Sequence, residues 1–217
     1  MIFKTEKQSL NRISEEKKHR IFQAAIKEFA EHGYESANIN IIAKNADVSV
    51  GAMYKYFDSK EDLYFTIVHF CVERLKAILD ETILGEDSLM GKIKKIIEAI
   101  QLYSRSNADL NKIYNVMTTE SRSEVVWKIV SDMEGITADL YTSLIDEGKK
   151  TGEIREDIDS KLFAYFLDNI FILLQFSYSC EYYKQRLKMF AGITAFDNDE
   201  LVASELIKFI EGAFLRK

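Results

Sequence analysis

The chain has 217 residues, 47% of them apolar and none of them proline, with a formal net charge of −6. That apolar share supports a sizeable core and excludes a disordered chain, and the lack of proline favours long unbroken helices. The acidic balance excludes a protein that coats nucleic acid or anionic membrane through bulk charge, so any DNA-facing surface has to be made by local placement.

The first residues, MIFKTEKQSLNR, are too polar for a secretory signal. A first helix is expected to begin near Ser14, with Glu15 and Glu16 at its positive N-terminus. Ile21, Phe22, Ala25, Ile26, Phe29 and Ala30 recur at helical spacing as its buried stripe, and Gly33 is expected to end it. A short second helix fits Asn38 to about Asn45. A sharp turn at Asp47-Val48-Ser49 follows, then a third short helix from Val50 to about Tyr56. Ser59 and Asp62 have the spacing of a capping box. The fourth helix they open runs through Leu63, Ile67, Phe70, Leu75 and Ile78 towards Gly85.

Beyond Gly85 the periodicity predicts helices over about 88–105, 108–118, 123–148, 159–190 and 199–215, with glycines at 148, 152 and 192 marking connections. No stretch alternates like a strand, so the fold class is all-α. Residues 162–180 are strongly apolar but include Asp168, Asn169 and Gln175, which argues for a buried helix and against a membrane span. Cys71 and Cys180 lie in apolar helical stretches and read as reduced thiols of a cytoplasmic protein. His19, His32 and His69 lack metal-ligand spacing, and no phosphate loop or nucleophile elbow occurs. Neither a metal, a cofactor nor an enzymatic activity is expected.

The informative stretch is ANINIIAKNADVSVGAMYKYFDSKEDL, residues 37–63. Two short helices joined by a tight turn make a helix-turn-helix. Ile39, Ile42, Ala43, Val48 and Met53 can pack the pair together, and Ser49 can cap the third helix, turning its first amides outward where they favour phosphate. The outward face then presents Val50, Gly51, Ala52 and Lys55 to a major groove, which admits one helix. Tyr54 and Tyr56 can donate to flanking phosphates and Lys60 adds a charge nearby, contacts that set register and carry no sequence information.

These residues carry a resemblance. Residues 14–65 are similar to the DNA-binding domain of the TetR family of bacterial regulators, through Ala25 to Tyr34, Ile42 to Ser49, Val50 to Phe57 and Ser59 to Leu63. The resemblance implies that Tyr54, Tyr56 and Lys60 meet phosphates, that Asn38 caps the second helix and that Asn40 faces DNA. Asp47 stands where a glycine is usual, and Ile41 where a polar residue is common. The implied organisation is a DNA-binding domain over 1–62, with its motif at about 37–56, and an effector-binding and dimerisation domain over 63–217. The implied protein is a cytoplasmic transcription regulator, most often a repressor. It binds pseudo-palindromic double-stranded operator DNA as a homodimer and is released by a small molecule.

Within the larger body, residues 162–187 are apolar on two faces. One face reads Leu162, Phe166, Asn169, Leu173 and Phe176; the other reads Phe163, Leu167, Ile170 and Leu174. A helix apolar on both sides must be covered on both. We assign Phe163, Leu167, Ile170 and Leu174, with Leu206, Ile210 and Phe214 of the last helix, to a dimer interface; the alternative for them is protomer core. Aromatic and methionine density suggests an effector pocket of Tyr103, Tyr114, Met117, Trp127, Tyr141, Phe166 and Asn169 for a lipophilic ligand, neutral or cationic. Asp168 and Gln175 are further polar anchors, and plain core packing is the alternative here too. Residues 1–62 balance ten Lys/Arg against ten Asp/Glu. That neutrality supports a second reading, a helical protein-interaction module whose helix-turn-helix does not read DNA.

Overall fold

The computed structural model describes residues 13–85, 88–120 and 124–215, excluding the side chains at 75, 119–120, 124–130 and 132–133. Its helices are α1 (Glu15–Ser36), α2 (Ile39–Asn45), α3 (Val50–Tyr56), α4 (Lys60–Ile83), α5 (Leu89–Ser106), α6 (Ala108–Glu120), α7 (Glu124–Thr151), α8 (Ser160–Ser179), α9 (Glu181–Ala191), α10 (Ile193–Phe196) and α11 (Asp199–Phe214). Among the described residues the strand-like geometry amounts to one isolated bridge, Ile154 to Leu215. The fold is all-α.

Local chemistry fixes the helix starts. Ser14, Asn38, Ser49, Ser59, Ser88, Asp159 and Asn198 each accept a hydrogen bond from a first-turn amide, which satisfies a donor with no partner inside the helix. The Asp62 carboxylate also accepts from the Asp58 amide, one residue before the Ser59 cap, at 2.8 Å. Gly33 does break α1, at φ +68°, but a further turn follows it to Ser36.

Two buried clusters organise the chain. The first joins Ile21, Phe22, Ala25, Ile26 and Phe29 of α1 to Ile42, Ala43, Met53 and Phe57, and to Leu63, Ile67, Val68 and Val72 of α4. Side chains of this size are worth about 1.5–3 kcal/mol each when taken fully out of water. Ile113 and Met117 of α6 belong to the same cluster, so α6 is packed onto α1. The second cluster is built by Ile93, Ile96 and Ile97 of α5, Tyr141 and Ile145 of α7, Leu167 and Phe171 of α8, and Ile210 and Phe214 of α11. At Gly148, in the last turns of α7, Ile154 folds back so closely that a Cβ would stand 2.9 Å from it.

The single helix expected over 159–190 is two. Cys180 is extended (φ −107°, ψ 128°) and separates α8 from α9. Neither proline nor glycine marks the break. Just before it the Ser177 and Ser179 hydroxyls donate to the carbonyls of Leu173 and Gln175 at 2.7 and 2.8 Å, a competition with the helix ladder that bends and weakens it.

Candidate nucleic-acid interface and effector cavity

The helix-turn-helix is held by backbone and side chain together. The turn closes through Ala46 N–H to Ile42 C=O at 2.9 Å and Val48 N–H to Ala43 C=O at 3.0 Å. Asp47 takes the left-handed conformation, φ 54°, which short polar side chains tolerate better than most. Glu28, buried on α1, accepts from the Asn38 amide at 2.9 Å and so ties α1 to the start of α2. The Arg20 guanidinium donates to the Ala46 carbonyl at 3.2 Å, a second tie from α1 to the turn.

On this frame α3 buries Met53 and leaves the opposite side in solvent. Asn38, Asn40, Ser49, Gly51, Tyr54 and Lys55 are exposed, Tyr54 to 52%, while Val50, Ala52 and Tyr56 are half-buried. Ser49 Oγ accepts from the Ala52 amide at 3.1 Å and Asn38 Oδ1 from the Asn40 amide at 2.9 Å. Two residues of the expected contact set have partners within the chain. The Tyr56 hydroxyl accepts from Lys17 Nζ at 3.0 Å. Lys60 Nζ donates to the carbonyls of Glu35 and Ala37 at 2.8 and 3.2 Å and lies 4.9 Å from the Tyr34 ring centre, so its charge sits on the negative end of α1. Lys17 was not singled out by sequence. Its position beside Tyr56, 39 residues away, is a tertiary fact with no local signature.

A cavity of about 160 Å³ lies in the larger body, walled by α4, α5, α6, α7 and α8. Tyr103, Tyr114 and Tyr141 of the expected pocket line it, with Ile78, Ile96, Ile100, Phe171 and Ile172. Its polar groups among the described residues are Arg74, Ser104, Asn107, Asn111, Glu134, Thr137, Asp168 and Gln175, besides the tyrosine hydroxyls. Burial first, and the Glu134 carboxylate second, push Asp168 up to about 6. The Tyr114 hydroxyl donates to Glu134. Burial pushes the Cys71 thiol up to about 12, so it stays protonated and a poor nucleophile.

The other expected pocket residues lie elsewhere. Met117 is buried in the first cluster against α1. Phe166 is 51% exposed, and Asn169 is exposed with its amide donating to the Tyr165 carbonyl at 2.7 Å. The side chain of Trp127 lies outside the described residues. Sequence had grouped these by residue type, and helical rotation separates them.

The expected dimer face needs a correction. Leu167, Leu174, Ile210 and Phe214 are buried within the protomer, and Phe163, Ile170 and Leu206 pack half-buried against them. The Phe163 and Phe214 rings meet edge-on at 5.0 Å. The apolar side chains left in solvent are on the opposite face: Leu162, Tyr165, Phe166 and Leu173 of α8, with Leu201 and Phe209 of α11. Period alone identifies two apolar faces and cannot say which one the protomer covers.

An exposed short helix, set by a capped turn on a three-helix core and joined through α4 to a cavity-bearing helical body, defines a helix-turn-helix DNA-binding protein. Residues 21–67 match the family model of the bacterial regulatory proteins of the tetR family, and this segment of the chain is similar to that family's DNA-binding domain. It is 26% identical over 142 residues to the fatty acid metabolism regulator protein of Bacillus subtilis (strain 168), covering 65% of this chain and 73% of the relative. A TetR family transcriptional regulator from Chloroflexus aurantiacus superposes with a TM-score of 0.74 at 20% identity, covering 99% of this chain and 100% of that one. The regulator FadR of Bacillus subtilis, solved in complex with stearoyl-CoA, gives 0.67 at 19% identity over 87% of this chain and 96% of that one. At these identities the two structures speak for the fold alone.

Proposed function

We propose that the protein is a cytoplasmic repressor that binds a pseudo-palindromic operator as a homodimer and releases it when a small, lipophilic effector enters the cavity. In this reading residues 1–62 form the DNA-binding domain and residues 63–217 the effector and dimerisation domain. Val50, Gly51, Ala52 and Lys55 meet base edges, while Asn38, Asn40, Ser49, Tyr54, Tyr56 and Lys60 meet the backbone, joined by Lys17. Two such helices enter successive major grooves about 34–36 Å apart.

The observation behind the reading is that α4 and α6 serve both ends of the protein. Val72 of α4 and Ile113 of α6 sit in the core under the helix-turn-helix, while Cys71 and Ile78 of α4 and Leu110 and Tyr114 of α6 wall the cavity. A ligand that moves these helices changes the seat of α1 to α3, and so favours the state with the poorer fit to DNA. Dimerisation is supported by α8. It has the length and mean hydropathy, 1.2, of a membrane span, yet only 39% of that window is buried in the protomer. A second copy across a two-fold axis covers such a face.

Selection of duplexes from a random pool, followed by titration of the winner at two salt concentrations, tests this. A palindromic site bound by two protomers and weakened by salt is expected. No enrichment, from protein shown to be folded and dimeric, overturns it and favours the interaction module that the neutral charge of residues 1–62 suggested.

A further inference from the structure

We propose that the effector is an amphiphilic cation, a protonated or quaternary amine whose charge lies beside Asp168 and Glu134 and whose apolar part packs on Tyr103, Tyr141 and Phe171. The proposal deepens the effector reading of the same cavity and rests on it.

Three observations carry it. Asp168 is 9% exposed and faces the cavity together with a second carboxylate, Glu134. Neither acid forms an ion pair among the described residues. Asp168 feels burial, Glu134 and the Thr137 hydroxyl, and Glu134 is held by Tyr114. Two neighbouring carboxylates without a cation repel one another, and burial strengthens the repulsion. A cation between them offsets both costs, whereas a carboxylate ligand adds a third negative charge. The third observation is the wall. Aromatic faces attract cations that have left water, and the remaining lining is mostly aliphatic, as the tail of an amphiphile requires. Among the described residues the one base on the wall is Arg74, which has an exposed side chain on α4. It can meet solvent or an anionic headgroup and leaves the acids unneutralised.

The test is calorimetric titration of the full chain, below micellar concentrations, with octylamine, octyltrimethylammonium, octan-1-ol, octanoate and octanoyl-CoA. Both cations are expected to bind at least tenfold more tightly than the alcohol, and octanoate most weakly. Asp168→Asn and Glu134→Gln keep the shape of the wall. Each is expected to bring the cations down towards the alcohol while leaving the alcohol unchanged. Tighter binding of octanoate or octanoyl-CoA, absence of amine binding, or a cation preference that survives both substitutions overturns the proposal. Operator binding, measured on the same protein, keeps the two readings apart. Operator bound with no amine preference removes only the ligand class, and amine bound with no operator enriched removes the regulator reading.

Discussion

The Glu28 carboxylate on α1 accepts from the Asn38 amide at 2.9 Å, at the residue whose own side chain caps α2. One buried acid thus sets the angle at which the chain leaves α1 and enters the helix-turn-helix. His32 Nε2 lies 4.0 Å from the same carboxylate. Hydrogen bonds to charged groups contribute about 1.5–3 kcal/mol, so Glu28→Ala is expected to lower unfolding stability by that order. Glu28→Gln, which keeps an acceptor, is expected to lose less. Urea titration of both variants reads this, and a Glu28→Ala protein as stable as the parent would remove the carboxylate from its structural role.

Asp47 has a backbone that strains most side chains. At φ 54° a residue with a Cβ costs about 1–2 kcal/mol relative to the right-handed region, a cost that is smaller for short polar residues such as aspartate. Asp47→Ala is therefore expected to destabilise the protein by about 1 kcal/mol, and Asp47→Gly to be close to neutral. Both remove an exposed negative charge beside α3, so both are also expected to raise affinity for random duplex at low salt. Thermal unfolding separates the two substitutions, and random-sequence binding unites them.

At the DNA-facing surface the hydroxyl and ammonium groups are expected to set affinity without setting sequence. Tyr54→Phe removes an exposed hydroxyl and Lys17→Ala removes the ammonium beside Tyr56. Each should weaken binding to all sequences alike, and Lys17→Ala should also lower the salt slope by about 1. Lys60→Ala is expected to behave differently. Because its ammonium holds the carbonyls of Glu35 and Ala37, its loss should lower thermal stability even without DNA. A changed base preference with affinity intact would mean that these groups read bases.

Local signals were legible where local chemistry decides. Caps at Ser14, Asn38, Ser49 and Ser59 and the turn at Asp47 follow from residues within four positions of one another. What was hidden depends on rotation and on distance along the chain. Glu134 and Asp168 meet across α7 and α8, and Lys17 reaches Tyr56 over 39 residues. Which face of α8 the protomer buries is not legible because both faces carry large apolar residues, and only the positions of α5, α7 and α11 decide which one is covered. The break at Cys180 is not legible because no glycine or proline stands there to show it in the sequence.

Neighbouring positions on α8 should respond in opposite ways. Phe166 is exposed in the protomer and Leu167 is buried. Phe166→Glu is expected to give a folded monomer, since it places a charge on the face proposed for the second copy and, of the core-packed rings, gives up only an edge contact with Phe163. Leu167→Ala is expected to cost about 2–5 kcal/mol by opening a core cavity. Light scattering and thermal unfolding, run on both variants, give the pair of readings. A Phe166→Glu protein that remains a dimer would place the two-fold axis elsewhere.

The cavity acid also gives the protein a pH dependence whose sign can be worked out. Burial and the neighbouring Glu134 raise Asp168 from 3.8 to about 6 in the folded chain. Between those values the folded state holds a proton that the unfolded state has released. Stability therefore falls as pH rises through this window, and the contribution is fully present only below about 4. Asp168→Asn removes the ionisation and keeps the shape, so its unfolding midpoint should change less between pH 4 and pH 7 than that of the parent protein, and should exceed it at pH 7. An amphiphilic cation acts on the same balance from the other side. Because it favours the ionised carboxylate, it should stabilise the parent more at pH 7 than at pH 5, and should release fewer protons on binding at the higher pH. Parallel pH profiles for the parent and Asp168→Asn would assign the dependence to other groups.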